Sequence, residues 1–430
     1  MTTTQSDLLR DVSPGRLRPL NQTEAKSTLA DLKQIAGAEP VVADLLAGES
    51  PLRDFVVAAL ALSPHLREIA NLEPRLLVAA IEKPLSPQIE ALVEAARRAW
   101  LPAEGEDASP SESEVMSRLR IAKRRASFLV ALADLARIYD GKVTTRWLSR
   151  LAEASISAAI DHLLLSAHEA GKIVIPDPAA PSQRSGLIVL GMGKLGAEEL
   201  NYSSDIDLVV FFDEMAGIVP DPDDAIDIFP RLMRRLVRIL QERTADGYVF
   251  RTDLRLRPDP GSTPLAIPVE AAMIYYEGRG QNWERAAFIK ARPVGGDIAA
   301  GQAFIRDLVP FVFRKYLDYA AIADIHSIKR QIHVHKGHGA IAVKGHNVKL
   351  GRGGIREIEF FVQTQQLIAG GRMPALRSRS TEQTLSELTE AKWIDAETRD
   401  ELTAAYWFLR DVEHRIQMVR DEQTHLLPET

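Results

Sequence analysis

The chain has 430 residues, 46% hydrophobic and 26% charged, and this length predicts roughly two or three domains because single cores stop growing beyond about 300 residues. It contains no cysteine, which excludes disulfides, cysteine-ligated zinc and thiol catalysis, and its net charge of −6 argues against a general nucleic-acid binder. No apolar run approaches the about 18 residues of a membrane span and the first residues lack signal-peptide features, so a cytoplasmic protein without membrane contact is expected.

The first 115 residues are predicted to be helical. Apolar residues in the segment 54–83 recur at spacings of three and four, and prolines interrupt the pattern. The stretch 102–114 is acidic and rich in Pro, Gly and Ser, which is typical of an exposed linker. We therefore expect a helical amino-terminal region, 1–115, that ends in this linker.

A second helical segment is expected at 116–175, packed on the domain that follows. A basic cluster lies near its start and consists of Arg118, Arg120, Lys123, Arg124 and Arg125. Charge runs of this kind are most often solvated, so an exposed helix face is the favoured interpretation. A surface that reaches a nucleotide or an acidic partner is the alternative.

The region 176–303 is predicted to alternate between strands and helices. Strands are expected at 187–190, 206–212 and 248–257, and an amphipathic helix at about 224–243. From 304 to 430 the pattern is mostly helical. The predicted fold class is α+β, predominantly helical, with one α/β domain flanked by helical domains.

Two aspartates at the start of a strongly apolar strand, Asp205 and Asp207, are the most informative residues. Because side chains alternate along a strand, both carboxylates point to one face, roughly 6.5–7 Å apart, and can share a divalent cation. In the third predicted strand, Asp253 shares a face with Arg255 and Arg257. Three carboxylates and two arginines are typical of phosphoryl or nucleotidyl transfer, in which acids bind Mg²⁺ and arginines stabilise phosphate charge.

Two other interpretations were weighed. In the first, the acids are structural: Asp205 caps a turn and Asp207 pairs with an arginine. In the second, Gly191, Gly193 and Gly196 form the G-x-G-x-x-G motif of a dinucleotide-binding fold. Only about ten residues separate this motif from the next strand, whereas a parallel crossover usually needs a dozen or more. The dinucleotide interpretation is therefore disfavoured.

The order of these motifs resembles a known superfamily. Gly193 and Lys194, then Asp-Ile-Asp, then a later strand aspartate resemble the DNA polymerase β-type nucleotidyltransferases, although a small residue often stands where this chain has Lys194. Four runs are similar to the bifunctional glutamine synthetase adenylyltransferase/adenylyl-removing family: 191–212, 247–266, 349–363 and 408–428. The resemblance covers roughly 118–430.

The resemblance implies a function. Members carry two catalytic units in tandem: the amino-terminal unit removes AMP from glutamine synthetase and the carboxy-terminal unit attaches it. The segment 278–297 looks like the amino-terminal version. This resemblance implies that the chain is the adenylyl-removing half, without the carboxy-terminal half. Orthophosphate would attack AMP–tyrosine and release ADP, and the PII signal protein would be a regulatory partner. The alternatives are adenylylation from ATP by the same fold, and a regulatory module that senses nucleotides without turnover.

Roles for individual residues follow from the motifs and the resemblance together. Asp205 and Asp207 are expected to bind Mg²⁺, as a pair of ions, with Asp253 completing the second site. The residues expected to cradle the adenylyl phosphate are Gly193, Lys194, Ser203 and Ser204. Arg255 and Arg257 are expected to steady phosphate charge during in-line displacement.

A glycine-rich turn before a predicted helix is a candidate orthophosphate site. Gly353 and Gly354 precede a helix that is expected to run to about residue 370, and Arg356 adds charge. Glycines allow close approach of the backbone to an anion, and a helix start offers unpaired N–H groups. A turn that merely starts a helix is the equally weighted alternative. Glu357 and Glu359 are candidates to orient Arg356 or a metal-bound water.

Five of the ten histidines lie in the segment 326–347, namely His326, His333, His335, His338 and His346. Their spacing matches no metalloprotease helix motif, and no cysteine accompanies them. A basic loop near the substrate is therefore favoured over a structural zinc site.

Overall fold

The computed structural model describes residues 7–105, 108–315 and 343–429. Its amino-terminal helices are α1 Gln22–Ala36, α2 Pro40–Ala47, α3 Pro51–Leu62, α4 Pro64–Leu72, α5 Pro74–Glu82, α6 Leu85–Arg97, α7 Glu112–Leu135 and α8 Gly141–Glu169, after a 3₁₀ turn at Leu9–Asp11. Helices α2 to α5 each begin with a proline, at the position where the missing N–H is not needed. The prolines that interrupt the apolar pattern therefore mark helix starts.

The acidic linker is shorter than predicted because its last residues begin α7. The Ser111 N–H donates to Glu114 Oε2 at 2.7 Å, and the Glu114 N–H donates back to Ser111 Oγ at 3.4 Å. This reciprocal pair is a capping box, which satisfies two N–H groups at the helix start. The Ser–Glu spacing in the linker was therefore a helix-start signal.

Five strands form one mixed sheet: β1 Leu187–Gly191, β2 Ile206–Phe212, β3 Thr252–Asp253, β4 Ala266–Pro268 and β5 Arg292–Gly296. Strand β1 pairs antiparallel with both β2 and β5. The opposite edge of β2 pairs in parallel with β3 at its start and with β4 at its end. Strand β2 is thus central and nearly fully buried, which explains its continuous apolar sequence.

The third predicted strand, 248–257, is mostly wrong, since only Thr252 and Asp253 form strand. The chain turns after Asp253 because its Oδ1 accepts the N–H of Arg255 at 2.8 Å. The predicted amphipathic helix is confirmed as α10, Ala225–Gln241.

The topology excludes the dinucleotide-binding interpretation. Strands β1 and β2 are antiparallel and joined through α9, Gly193–Gly196, a single turn, whereas that fold needs a parallel pair with a crossover helix. Gly196 has a packing role instead: an added Cβ would lie 1.9 Å from the carbonyl oxygen of Lys290. The glycine spacing therefore serves close packing beside β5.

The remaining helices of the described chain are α11 Val269–Arg279, α12 Asn282–Phe288, α13 Ile298–Val312, α14 Ile355–Ala369, α15 Thr381–Glu390 and α16 Ala396–Met418, with 3₁₀ turns at Glu214–Ala216, Pro222–Asp224 and Pro374–Leu376. The expected α+β class with flanking helices is confirmed. No helix in the described ranges is long and apolar enough to cross a membrane. Four of the five clustered histidines lie outside the described residues, and His346 packs against Gly351.

The sheet separates two hydrophobic cores. Leu208 and Val210 of β2 pack into a core shared with the amino-terminal helices, whereas Val209 and Phe211 face a second core that includes Tyr276. The alternation of side chains along β2 thus joins the sheet to helices on both faces. At the start of β2, Ile206 still packs into the first core, while Asp205 and Asp207 on either side of it belong to neither core.

Candidate active site

The three predicted carboxylates converge at the start of β2. The parallel register places Asp207 of β2 directly opposite Asp253 of β3, and Asp205 immediately precedes β2. Strand pairing brings these positions together although 46 residues separate Asp207 from Asp253 in sequence. All three side chains line one cavity of about 420 Å³, a volume typical of small-molecule sites.

Eight of the twelve predicted site residues line this cavity: Gly193, Lys194, Ser204, Asp205, Asp207, Asp253, Arg255 and Arg356. The other four predicted residues do not line it: Ser203, Arg257, Gly353 and Gly354. The cavity also has an apolar end, formed by Leu256, Ala286, Ala287, Phe360 and Leu367 with Trp283 beside them. It therefore offers a charged end and an apolar end to one ligand.

Asp207 is held in a strongly negative environment. The pKa of its carboxyl is raised to about 6, mainly by burial and also by the nearby carboxylates of Asp253 and Asp205, while Lys349 and Lys194 oppose the shift. Gly193, at φ +51°, leaves the space beside it open, since an added Cβ would lie 3.2 Å from Asp207 Oδ2. A cation placed here would relieve this repulsion.

The other two acids are turned toward arginines. Asp205 Oδ1 accepts from Arg251 Nε at 2.8 Å, and its Oδ2 accepts from Gln423 Nε2 at 2.9 Å. Asp253 accepts from Arg255 Nε at 2.9 Å, which helps to hold the pKa of that carboxyl below its usual value. As they stand, the described residues contain no group of three or more acidic or histidine side chains arranged to hold a metal ion.

The donor set nevertheless fits Mg²⁺ after a small rearrangement. Carboxylate oxygens are the ligands that Mg²⁺ prefers, and Asp207 has one acidic neighbour across the strand pair, Asp253, and one two residues earlier in its own chain, Asp205. The Arg255 side chain is 83% exposed, so it can leave Asp253 for solvent at little cost. Assembly of the site would therefore need a rotation of Arg255 and of Asp253.

Lys194, which departs from the superfamily pattern, forms a buried ion pair. Its Nζ donates to both carboxylate oxygens of Glu413 in α16, at 3.0 and 2.9 Å. Burial lowers the pKa of Lys194 to about 7, against the stabilising effect of that carboxylate. Lys194 thus joins α9 to α16, and its side chain still borders the cavity.

Ser203 is buried, does not line the cavity and holds the loop before β2, so its expected role in cradling phosphate stays a prediction. Its N–H donates to Gln417 Oε1 at 3.0 Å, and its Oγ accepts from Arg251 at 3.0 Å. The neighbouring Ser204 is the serine that faces the cavity.

Arg257 does not line this cavity but lines a second cleft together with Asp205, Asp253 and Arg255, so its expected role in steadying phosphate charge stays a prediction. Its guanidinium donates to the carbonyls of Leu254 and Pro260 at 2.8 Å each, and to the carbonyl of Thr263. Because the strand ends at Asp253, the alternation that placed Arg257 beside the acids does not continue to residue 257. Arg257 instead stabilises the loop after β3.

The glycine turn before α14 does not offer free backbone donors. The N–H groups of Gly354, Ile355 and Arg356 donate to carbonyls within the turn at 2.9–3.0 Å, and the Gly353 N–H donates to Glu357 at 3.0 Å. These bonds favour the alternative of a turn that starts a helix, and a phosphate-binding role for Gly353 and Gly354 stays a prediction. The Arg356 side chain still lines the cavity, and its Nη1 lies 3.5 Å from Glu359 Oε2, as expected of an orienting acid.

Several cavity residues were missed by sequence reasoning. Lys290 is buried and donates to Glu359 Oε1 at 3.0 Å and to Thr381 Oγ1 at 3.2 Å. Burial would raise the pKa of Glu359, but Lys290 and Arg356 outweigh it and hold that pKa well below its usual value. Lys349, Trp283 and Gln423 also line the cavity without having been singled out. They come from separate elements, so no local pattern could have grouped them.

Helix α16 braces the loop that carries the acids. Arg410, fully buried, donates from Nε to Asn201 Oδ1 at 3.0 Å, and Gln417 receives the Ser203 N–H. With Lys194–Glu413 and Gln423–Asp205, these bonds fix the loop between α9 and β2 from one side. The carboxy-terminal helix thus determines the orientation of the cavity wall.

Comparisons with known proteins agree with this architecture. Residues 54–307 match the family model described as glutamate-ammonia ligase adenylyltransferase, and residues 326–430 match the model described as GlnD PII-uridylyltransferase. Three relatives carry the name bifunctional glutamine synthetase adenylyltransferase/adenylyl-removing enzyme. The Agrobacterium fabrum relative is 74% identical over 98% of this chain and 42% of its own length. The Rhizobium meliloti relative is 66% identical over 98% and 43%, and the Brucella melitensis relative 59% identical over 96% and 42%.

This chain therefore spans about two fifths of the length of these relatives. The matched family model covers more than half of the chain, including the strands that carry the three aspartates. The resemblance read from the four motifs is confirmed. The chain belongs to the glutamate-ammonia ligase adenylyltransferase family.

Proposed function

We propose that this chain catalyses the Mg²⁺-dependent removal of AMP from an adenylylated tyrosine of glutamine synthetase, by phosphorolysis with release of ADP. The observation that carries the proposal is the convergence of Asp205, Asp207 and Asp253 at one end of a cavity large enough for a nucleotide. The names of the relatives support glutamine synthetase as the protein substrate.

The cavity fits a nucleoside monophosphate with its phosphate at the charged end. The apolar wall that includes Leu256 and Phe360 suits an adenine ring, with Trp283 beside it as a stacking surface. The three carboxylates would hold Mg²⁺ at the other end, where the ion would neutralise phosphate charge. The donor chemistry of the site thus matches both halves of an AMP group.

The basic residues at the charged end suit the second substrate, orthophosphate. Lys349 and Arg356 line the cavity from the turn before α14 and from its first turn, with Lys349 near enough to Asp207 to lower its pKa, and Arg255 follows β3 with an exposed side chain. These cations would bind orthophosphate and stabilise charge in the transition state. An orthophosphate oxygen forms a bond to the AMP phosphorus, the bond to the tyrosine oxygen breaks, and the proton of orthophosphate passes to that oxygen.

The PII signal protein is proposed as a regulatory partner, supported by the match of residues 326–430 to a PII-uridylyltransferase model. Residues 326–342 of that match lie outside the described residues. The opposing activity, attachment of AMP, is proposed for the part of the relatives that this chain does not span.

The test is an ADP assay with this chain, Mg²⁺, orthophosphate and AMP-modified glutamine synthetase. Phosphate-dependent ADP release that disappears in Asp207→Asn would support the proposal. Labelling of unmodified glutamine synthetase from ATP, without ADP release in the first assay, would assign the forward reaction instead. Nucleotide binding without turnover in either direction would assign a regulatory module.

A further inference from the structure

A second cavity, of about 310 Å³, lies between α4, α7, the turn before β3 and the residues that follow α16. Lys123 and Arg124 of the basic cluster of α7 line this cavity, and the expectation of a solvated helix face is wrong for Lys123 and Arg120. Lys123 is 6% exposed, and Arg120 is fully buried and donates to the carbonyl of Gly247 at 2.9 Å. Lys123 and Arg120 are buried because partners distant in sequence cover them, whereas Arg125 is exposed.

The cavity carries an excess of basic side chains. Its lining includes four Lys or Arg and three Asp or Glu residues, around an apolar floor of Ile69 and Leu72. Lys123 pairs with Asp421 at 3.2 Å, within the cavity wall. Arg243 and Arg420 have no carboxylate partner among the described residues, although Arg243 lies over the ring of Tyr248, 5.1 Å from its centroid. Two guanidinium groups at an open cavity are suited to an anion.

A continuous chain of polar contacts connects this cavity to the candidate active site. Asp421 Oδ2 accepts from Lys123 at 3.2 Å and from the hydroxyl of Tyr248 at 2.9 Å. The same hydroxyl accepts from Arg251 Nη1 at 2.8 Å, and Arg251 Nε donates to Asp205 at 2.8 Å. Four contacts therefore link a cavity-lining lysine to a carboxylate proposed to bind the metal.

We propose that this second cavity binds a small organic anion that carries a phosphate or a carboxylate, and that its occupancy changes the hold of Arg251 on Asp205. An anion that contacts Lys123 competes with Asp421 for that ammonium. Asp421 then attracts Arg251 more strongly through Tyr248. As a result, Asp205 becomes freer to bind a cation, so the anion and the divalent cation bind cooperatively. The coupling, but not the anion site, rests on the proposed function.

The anion site is tested by calorimetric titration with sulfate, as the phosphate-like probe, and succinate, as the carboxylate probe, at constant ionic strength and without divalent cation. We expect saturable binding of one probe and at least tenfold weaker binding in Arg243→Gln/Arg420→Gln. The control Arg75→Gln/Arg231→Gln removes two exposed charges elsewhere and should bind within twofold of the unmodified chain. Binding that is absent, or unchanged in the first double variant, overturns the site.

A further variant separates this cavity from the active site. Arg356→Gln removes a cation of the candidate active site, 3.5 Å from Glu359, and should leave the affinity for the probe unchanged. If Arg356→Gln instead weakens binding of the probe at least tenfold, the anion occupies the active site and the inference fails.

The coupling is tested by titrating Mg²⁺ with and without a saturating amount of the bound probe. We expect three- to tenfold tighter Mg²⁺ binding with the anion present. In Tyr248→Phe, which keeps the ring and removes the linking hydroxyl, the anion should still bind but leave the Mg²⁺ affinity unchanged. An equal or weaker Mg²⁺ affinity in the unmodified chain overturns the coupling. Failure of Mg²⁺ to bind in either state overturns the proposed metal site and the coupling with it, while the anion site is judged by its own titration.

Discussion

Lys194 of α9 and Glu413 of α16 form a buried ion pair, with the ammonium 2.9–3.0 Å from both carboxylate oxygens. Glu413 also lies 3.7 Å from Arg410 Nε and 2.8 Å from His425 Nδ1, so its carboxylate contacts a lysine, an arginine and a histidine. Because Lys194 follows Gly193, which lies against Asp207, this pair fixes the cavity wall beside the acids.

Removal of the carboxylate from this pair should strongly destabilise the fold. Glu413→Gln leaves the Lys194 ammonium buried without its counter-charge, which typically costs about 3–5 kcal/mol. Urea unfolding should show this loss. The exposed pair Arg231–Asp227 supplies the control, because Asp227→Asn should change the free energy of unfolding by less than about 1 kcal/mol. Equal effects of the two substitutions would show that Lys194 is not dependent on Glu413.

Asp207→Asn should abolish activity while stabilising the metal-free protein. Burial and the carboxylates of Asp253 and Asp205 raise the pKa of Asp207, so its charge opposes folding at neutral pH. We expect a free energy of unfolding about 1–2 kcal/mol higher in the variant without divalent cation. Mg²⁺ should raise the melting temperature of the unmodified chain and not of the variant. A less stable but active Asp207→Asn would make this carboxylate structural.

The stability of the fold should depend on pH through a carboxyl far from the cavity. Asp134 of α7 is buried, and burial raises its pKa from 3.8 to about 6. The folded state therefore binds the Asp134 proton more tightly than the unfolded state does. The stability that the protonated Asp134 contributes is fully present below about pH 4 and is lost as the pH rises to about 6. The loss corresponds to about 3 kcal/mol.

The comparison that isolates Asp134 is unfolding of the unmodified chain and of Asp134→Asn across pH 4 to 7. The decline in this window should be smaller in the variant, because Asp207, whose pKa is also raised to about 6, still titrates there, and the difference between the two proteins should be flat above about pH 7. The pKa of His414, 4.0 Å from Asp134, is lowered to about 3 mainly by burial, so this histidine stays neutral through the window. A parallel decline in both proteins would assign the effect to other groups.

The contrast between predicted and observed features has a physical cause. The β2 strand and α10 were predicted within a few residues, because burial on both faces of a strand and on one face of a helix leaves a local periodic pattern. The meeting of Asp207 with Asp253 also follows from strand pairing. By contrast, Ser203 and Lys194 obtain their partners, Gln417 and Glu413, from more than 200 positions away, which no local pattern encodes.

Local reasoning also failed where one hydrogen bond ended a periodic pattern. Alternation predicted a strand through Arg257, but the bond from the Arg255 N–H to Asp253 Oδ1 turns the chain at once. The solvated face expected for the basic cluster of α7 was wrong at Lys123 and Arg120 for a related reason, because Asp421 and the turn at Gly247 cover these two side chains. In both places a specific hydrogen-bond partner, which the periodic pattern does not reveal, decides the local structure or the burial of the side chain.

Gly196→Ala should disrupt the packing of α9 against β5. An added Cβ would lie 1.9 Å from the carbonyl oxygen of Lys290 and 2.5 Å from that of Gly191, and both are backbone atoms that cannot move aside cheaply. Overpacking of this kind costs about 3 kcal/mol or more. Gly261→Ala is the control, since its nearest neighbour atom would lie 4.0 Å away. Thermal unfolding of both variants should separate them clearly, and similar melting temperatures would contradict the close approach.

Trp283 should contribute to nucleotide affinity through stacking. It lines the cavity at its apolar end and is 39% exposed, so a ring face is available to a base. Removal of an aromatic–base stack costs about 1–3 kcal/mol, so Trp283→Ala should weaken ADP binding by roughly tenfold or more. Trp393→Ala removes a tryptophan of similar exposure outside the cavity and should leave the affinity unchanged. Calorimetric titration with ADP and Mg²⁺ makes the comparison, and equal affinities in the two variants would place the base elsewhere. Because Trp283→Phe keeps an aromatic face, recovery of affinity in that variant would show that stacking, rather than bulk alone, binds the nucleotide.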